Sequence, residues 1–491
     1  MQPPANMKQF VKDLESRGWL KRVSEEVDPY LEITALSDAV MKADGPALLF
    51  EKVKGANCPL AINLFGSPQR MALALGVERL DDIAARLRGL LELELPSGGL
   101  FSKLLSVLPK LKELKAFAPN VVKNAPCQEV VLKGEQASLD LLPILTCWPQ
   151  DAGPFITLPQ VITADPDTGK HNVGMYRLQR FDAHTTGMHW HRHKGGASHY
   201  RRAKELGQKL PVAVALGGAP ASVYAACAPL PENLPEYMFS GFLLRRPVEL
   251  VKAKTSNLMV PAEAEVIIEG YVDPAEPLRT EGPFGDHTGY YSLADEYPVL
   301  HITAITHRKG FLYPTTIVGI PPMEDYYLGM ATERIFLPLL QTVLPEVVDY
   351  HMPAEGVFHN LVFVSIKKEH PGQAYKVMNA LWGQGQMMFA KILVIVDADV
   401  DVQNPQRAWW EALNHIDPQR DILFSKGPAD ALDHAAQLPC LHSKMGIDGT
   451  KKLPGEGFTR PWPDRIEMDP EVQEAAHKKL QQWGLLNKEG S

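Results

Sequence analysis

With 491 residues and 45% hydrophobic content, the chain is long enough for two or three domains and has ample apolar material for their cores. A net charge of -8 argues against a general nucleic-acid binder. Five scattered cysteines (Cys58, Cys127, Cys147, Cys227 and Cys440), none in C-x-x-C spacing, argue against a disulfide framework or a cysteine zinc site and fit a reducing compartment.

The N-terminus is polar and lacks a signal-peptide apolar region, and no apolar run is long enough to span a bilayer. The expected location is cytoplasmic, at most peripheral to the inner face of the cell membrane. Met7, Phe10, Val11 and Leu14 recur at helical spacing, with Gly18 as the stop. A strand is expected over 20–23, a helix over 30–42, short strands over 47–50 and 60–64, and an amphipathic helix over 81–91. These make a small N-terminal α/β domain, residues 1–120. At its end, residues 100–117 are apolar at Leu104, Leu105, Leu108, Leu111 and Leu114 and basic at Lys103, Lys110, Lys112 and Lys115. Such a segment either lies on a membrane surface or packs on its own protein; Pro109 splits it and favours packing.

Residues 121–320 read as a β-rich domain. Runs over 129–132, 160–163, 212–216, 248–252 and 299–306 sit between Gly, Pro and Asp turns. After Pro321-Pro322 the texture changes. A β-like run over 361–366, a helix over 372–382 and an apolar strand over 391–396 predict a βαβ unit in a C-terminal α/β domain, residues 321–491. A last helix over 470–483 carries Val472, Ala476, Leu480 and Trp483, which cover either this chain or a partner subunit. The fold class is α/β (α+β). Asp397, Asp399 and Asp401 imitate an EF-hand, but Val402 and Ala408 stand where Gly and Glu are needed. Gly383-Gln384-Gly385 lacks the third glycine of a dinucleotide fingerprint.

The candidate chemistry concentrates in two stretches. Residues 172–196 read NVGMYRLQRFDAHTTGMHWHRHKGG. Arg177, Arg180, Arg192 and Lys194 supply positive charge, and His184, His189, His191 and His193 supply imidazoles. In a strand, the H-x-H-x-H pattern would put His189, His191 and His193 on one face, a metal or phosphate pattern. A solvated His-rich edge is the alternative. Residues 281–291 read EGPFGDHTGYY, with Glu281 and Asp286 separated by a turn-rich segment. Such a segment can aim both acids at one point, as general acid/base work requires, or be a plain polar loop.

NVGMYR, HRHKGG, PLPENLPEY and EGPFGDHTGYY, in this order and spacing, resemble the UbiD family of decarboxylases. The likeness begins at GWLKRVSEEVDPYLEIT and GPALLFEKVKG, passes through TCWPQDAGPF and reaches SKMGIDGTKKLPGEG, so it covers nearly the whole chain. It implies a split-barrel-like flavin-binding central domain and prenylated FMN as an electron sink that no side chain supplies. It also implies Mn2+ held by Asn172, His193 and Glu236, with K+ possible nearby. The matching flavin-contacting positions are Asn172, Met175, Tyr176, Arg177, His189, Trp190, His191, Lys194 and Gly195. The chain departs from many relatives at His189 and Lys194, where they carry Arg. The acid–Arg–acid network maps onto Glu281, Arg177 and Asp286, with Asp286 as proton donor in a dry pocket that raises its pKa.

The implied substrate is a hydroxylated aromatic acid of quinone biosynthesis. It is either 4-hydroxy-3-polyprenylbenzoate on the ubiquinone route or, on the likeness of TTGMHWHRHKGG, VGIPPMED and PEVVDYHMPAEG, a dihydroxynaphthoate on the menaquinone route. The implied partners are a flavin prenyltransferase and further copies of the chain, as a dimer or hexamer. Two alternatives stay open: a flavin-free metal hydrolase using His191 and His193, and a catalytically silent flavin-binding subunit.

Overall fold

The computed structural model describes residues 1–91, 116–191, 195–231, 234–436 and 438–485. Segment 100–117 therefore lies almost entirely outside the described residues, as do Arg192, His193 and Lys194.

The N-terminal helix Met7–Ser16 buries Met7, Phe10, Val11 and Leu14, the stripe that its sequence period marks. Asn6 caps it, accepting from the Gln9 N–H at 3.0 Å, and the chain leaves through Gly18 at a φ of 72°. Strands Leu20–Val27 and Ala47–Val53 pair in parallel, and Leu60–Ile62 adds antiparallel. The fourth strand of this sheet is Tyr313–Pro314, delivered from the far side of the central segment. Helix Pro68–Ala74, too short and too fully buried to show a stripe, has no counterpart in the sequence pattern.

The central segment is built on a seven-stranded sheet. Its main path runs Thr185–Gly187, Val299–His307, Ala264–Val272, Leu210–Gly217, Pro159–Ala164 and His171–Gly174, and Val130–Lys133 pairs with Val299–His307. The described strands form an open sheet, and no barrel closes among them. Strand Leu210–Gly217 is buried on both faces, so it reads as a continuous apolar run. Beside this sheet the segment carries three helices that the sequence pattern does not show: Gly195–Leu206, Pro220–Ala225 and Glu236–Leu244. The last, EYMFSGFLL, is buried nearly all round, so no amphipathic period announces it.

The C-terminal segment opens with the twenty-residue helix Glu324–Val343, which carries Pro338 inside it. Its first residue fastens it to the earlier segments: Glu324 accepts from the Phe65 N–H at 2.7 Å and the Thr316 hydroxyl at 2.6 Å. A five-stranded sheet follows, in the order Val347–His351, Leu361–Ile366, Ile392–Asp397, Leu441–Asp448, Ile422–Pro428. Strands Leu361–Ile366 and Ile392–Asp397 pair in parallel around helix Gln373–Trp382, the βαβ unit that the sequence predicts. Residues 1–369 and 373–451 form one compact unit. Residues 370–372 and 452–491 form another, in which helix Pro470–Gln482 is capped by Asp469. Among the described residues, no helix is long and apolar enough to cross a membrane.

Candidate active site

Two turn-rich segments meet beyond the end of the central sheet. Strand His171–Gly174 leads through Met175 and Tyr176 to Arg177, just before the two-residue strand Leu178–Gln179. Strand Arg279–Glu281 pairs with Asp295–Tyr297, and the loop between them carries Asp286.

That loop is tied down along its length. Gly282 N–H donates to Gln179 Oε1 at 2.8 Å, Gly285 N–H to Asp151 Oδ1 at 2.7 Å and Phe284 N–H to Ser292 Oγ at 3.2 Å. At Gly285 a Cβ would sit 2.2 Å from Trp148 Cδ1, so only glycine lets the loop pass. The loop is thus a rigid mount and not a plain polar excursion.

Arg177 receives both acids. Its Nε and Nη2 donate to the two Glu281 carboxylate oxygens at 2.8 and 3.0 Å, a bidentate fork. Nη1 donates to Asp286 Oδ2, and Nη2 also reaches Ser292 Oγ at 3.0 Å. The guanidinium lies 4.7 Å from the Phe284 ring centroid, and Phe284 packs on Phe155 at 4.6 Å. Glu281 is fully buried. Its burial raises its pKa, but hydrogen bonds from His189 and Arg177 outweigh this and hold it at about 2.

Asp286 differs from the sequence expectation. Burial does push its pKa up, but the His287 hydrogen bond and the Arg177 charge prevail and hold it well below the usual carboxylate range. Asp286 is buried, and its surroundings are cationic, which the motif EGPFGDHTGYY does not reveal.

The described part of the H-x-H-x-H segment, residues 189–191, is not a strand. Strand Thr185–Gly187 ends before it, and residues 188–191 are irregular. His189 and His191 still come together, with Nε2 atoms 3.1 Å apart, while His189 Nδ1 lies 3.1 Å from Glu281 Oε2. Tyr297 packs on the His189 ring at 4.4 Å. Trp190 points the other way, against Tyr200. The triad of Arg177, Glu281 and Asp286 is therefore extended by His189, His191, His287 and Ser292. The last two stand inside and just after EGPFGDHTGYY, where their proximity to an acid was the available signal.

A second group of site residues lines the approach from strand His171–Gly174. Tyr176 crosses Gly174 so closely that a Cβ there would lie 2.4 Å from its ring. A Cβ on Gly195 would fall 2.0 Å from Asn172 Oδ1, and one on Gly196 2.6 Å from Trp190 Nε1. The helix Gly195–Leu206 thus begins with two Cβ-free residues, a form that lets backbone amides approach an anion. Among the described residues, the buried Trp190 Nε1 has no hydrogen-bond partner. Glu236, first residue of helix Glu236–Leu244, is half-buried; burial raises its pKa against hydrogen bonds from its own and the Val173 backbone. Asn172, Tyr176, Trp190, Gly195 and Glu236 fit a phosphate-bearing group with a divalent cation. His193 and Lys194 lie outside the described residues.

Comparison with known proteins shows the family. Residues 11–87, 120–321 and 326–449 match the N-terminal, Rift-related and C-terminal domains of 3-octaprenyl-4-hydroxybenzoate carboxy-lyase, UbiD. The chain belongs to the UbiD family. UbiD-family proteins are carboxy-lyases, and this chain is one of them. It is 52% identical over 478 residues to an uncharacterized protein of Aquifex aeolicus, covering 97% of this chain and 98% of that one. Among solved UbiD-class structures it resembles vanillic acid decarboxylase of Sedimentibacter hydroxybenzoicus in closed form. The TM-score is 0.83 and the identity 31%, over 98% of this chain and 99% of that chain. It also resembles the UbiD-class enzyme HmfF of Pelotomaculum thermopropionicum in complex with FMN, with a TM-score of 0.79 and 30% identity over 96% and 98% of the two chains. An evolved dimeric form of HmfF is in complex with prenylated FMN.

Proposed function

We propose that this protein is a non-oxidative decarboxylase of a hydroxylated aromatic carboxylic acid, acting with prenylated FMN. The observation that carries the reading is Arg177 clamping two buried acids, Glu281 through a fork and Asp286 through its remaining amine. Loss of CO2 from an aromatic carbon leaves an electron pair that no side chain accepts, and prenylated FMN, when bound, supplies that sink. The complexes of HmfF with FMN and prenylated FMN support the choice of cofactor.

The chain's own residues do the rest. Asn172, Met175, Tyr176, Trp190 and Gly195 would hold the flavin and its phosphate, together with Lys194. Asn172, His193 and Glu236 would hold Mn2+, a hard-to-borderline donor set suited to that ion; K+ would sit beside it. Arg177 fixes Glu281 and Asp286, and with His189 and His287 it holds both acids charged at rest, so Asp286 takes up a proton during turnover before it gives one. Glu281 orients His189, which in turn meets His191, so these two imidazoles are held in a fixed arrangement and would contact the flavin when it is bound. Asp286 Oδ1 carries the proton to the carbon that has lost CO2. A buried, desolvated mount excludes water from that carbon.

We infer that the substrate is an acid of quinone biosynthesis, 4-hydroxy-3-polyprenylbenzoate or alternatively 1,4-dihydroxy-6-naphthoate. A flavin prenyltransferase would supply the cofactor. The test is co-expression with such an enzyme, followed by mass analysis of the released flavin, metal analysis and CO2 release from each acid. Prenylated FMN and manganese near one per chain, with CO2 from one acid, is the expected result. Absence of flavin under those conditions would overturn the reading.

A further inference from the structure

Behind Asp286 stands a group of titratable side chains that the clamp does not use. His287 Nδ1 lies 3.0 Å from Asp286 Oδ1, and the His287 N–H donates to the same oxygen at 2.8 Å. Arg177 occupies the other oxygen, Oδ2. Elements of the C-terminal segment close over the imidazole. Phe358 and His359 pack on it with ring centroids 5.6 and 5.8 Å away. Both Val357 and Phe358 hold positive φ values, 41° and 71°, costly for side chains of their kind, to bring those rings there. Asp325, from the first turn of helix Glu324–Val343, and Asp430 act on His287 electrostatically. His359 is faced by His287, Asp430, Asp433 and Lys391, and burial lowers its pKa to about 4, so it is neutral.

We propose that His287 is the positioning residue that loads Asp286 with its proton, an inference resting on the decarboxylase reading above. Because Arg177 holds Oδ2, the proton enters at Oδ1, the oxygen that faces the imidazole. The Nδ1–H bond of the imidazolium breaks, its electron pair stays on nitrogen, and the proton passes to Oδ1. Asp286 then gives a proton to the carbon that kept the electron pair of the broken bond to CO2. Solvent returns one proton to His287. Carboxylate plus one proton becomes a C–H bond plus CO2, with no oxidant or reductant. Burial lowers the imidazole pKa, yet Asp286, Asp325 and Asp430 together raise it above its ordinary value. Asp325 is itself pushed up to about 7, mainly by burial, so it shares the titration range of the pair.

The test uses holoenzyme carrying prenylated FMN, with whichever acid releases CO2, and two readouts. One is kcat against pH; the other is the His287 imidazole pKa from carbon-labelled histidine NMR. In the unaltered protein kcat falls about tenfold per pH unit above that imidazole pKa. Asp325→Asn moves the NMR pKa and the kinetic limb together to lower pH. His287→Gln loses the limb and about 10²-fold in kcat, the lower end for a general acid, with little change in KM. A limb that survives in His287→Gln, or one that stays in place while Asp325→Asn shifts the NMR pKa, overturns the proposal. Should His287→Gln fail to fold, the Asp325→Asn pair of readouts decides alone. Asp286→Asn separates the two readings: near-normal turnover there sinks Asp286 as donor, whereas an inactive Asp286→Asn beside an unaffected His287→Gln sinks only the loading role.

Discussion

Replacing Arg177 by Met removes the charge that both buried acids depend on while keeping much of the side-chain volume. Glu281 has an ordinary value of 4.5 and a folded value of about 2. The difference, roughly 2.5 at about 1.36 kcal/mol each, makes the charged environment of Glu281 contribute about 3 kcal/mol at pH 7. Breaking a buried ion pair by deleting one partner costs a similar amount, about 3–5 kcal/mol, because the survivor is left desolvated. The sign follows from a depressed pKa. The contribution is fully present above 4.5 and is lost as pH falls toward 2. In Arg177→Met burial of Glu281 is opposed only by His189, so its pKa rises and protonation below pH 5 relieves the variant. Urea unfolding at pH 7 and pH 4 checks this. The variant should lose about 3 kcal/mol at pH 7, and the gap to the unaltered protein should narrow at pH 4. A loss under about 1 kcal/mol at pH 7, or an equal gap at both pH values, would refute the assignment of Arg177 as the clamp.

Asp286→Asn should retain flavin and manganese yet lose roughly 10²- to 10⁴-fold in CO2 release, as expected for a missing general acid. Glu236→Gln should lower the manganese content after dialysis and weaken flavin retention, read by metal analysis and flavin absorbance; full retention of both would remove Glu236 from the metal site. Gly285→Ala places a methyl against Trp148, whose Nε1 is held by Val318 O at 2.9 Å, so the loop must shift. Overpacking of this kind costs about 1–3 kcal/mol, and activity should fall further than the melting temperature suggests.

The parts of this molecule that announce themselves in sequence do so by period. Met7, Phe10, Val11 and Leu14 mark one face of a helix because the opposite face meets water. Helix Glu236–Leu244 has almost no such opposite face, and its apolar run reads equally as strand or helix. The acids of EGPFGDHTGYY were visible as a pair, but the pKa of Asp286 depends on Arg177 from a distant stretch and on the orientation of His287, neither of which spacing encodes. Asp325, His359 and Asp430 were beyond reach for a related reason. They gather around His287 only because helix Glu324–Val343, the loop after His351 and the turn after strand Ile422–Pro428 fold back over the central segment, a contact between chain regions with no shared pattern.

The fourth strand of the N-terminal sheet has a consequence for how the protein is made. Leu60–Ile62 is fully buried in the folded chain, where Tyr313–Pro314 pairs along its edge. On the ribosome, where synthesis runs at roughly 5–20 residues per second, that edge waits on the order of tens of seconds for its partner. During this interval it presents three consecutive apolar residues and unpaired backbone groups, the features that recruit a wrong strand from a neighbouring nascent chain. An amino-terminal fragment ending before residue 313 keeps that edge permanently, and should depend on a chaperone or aggregate where the full-length chain does not.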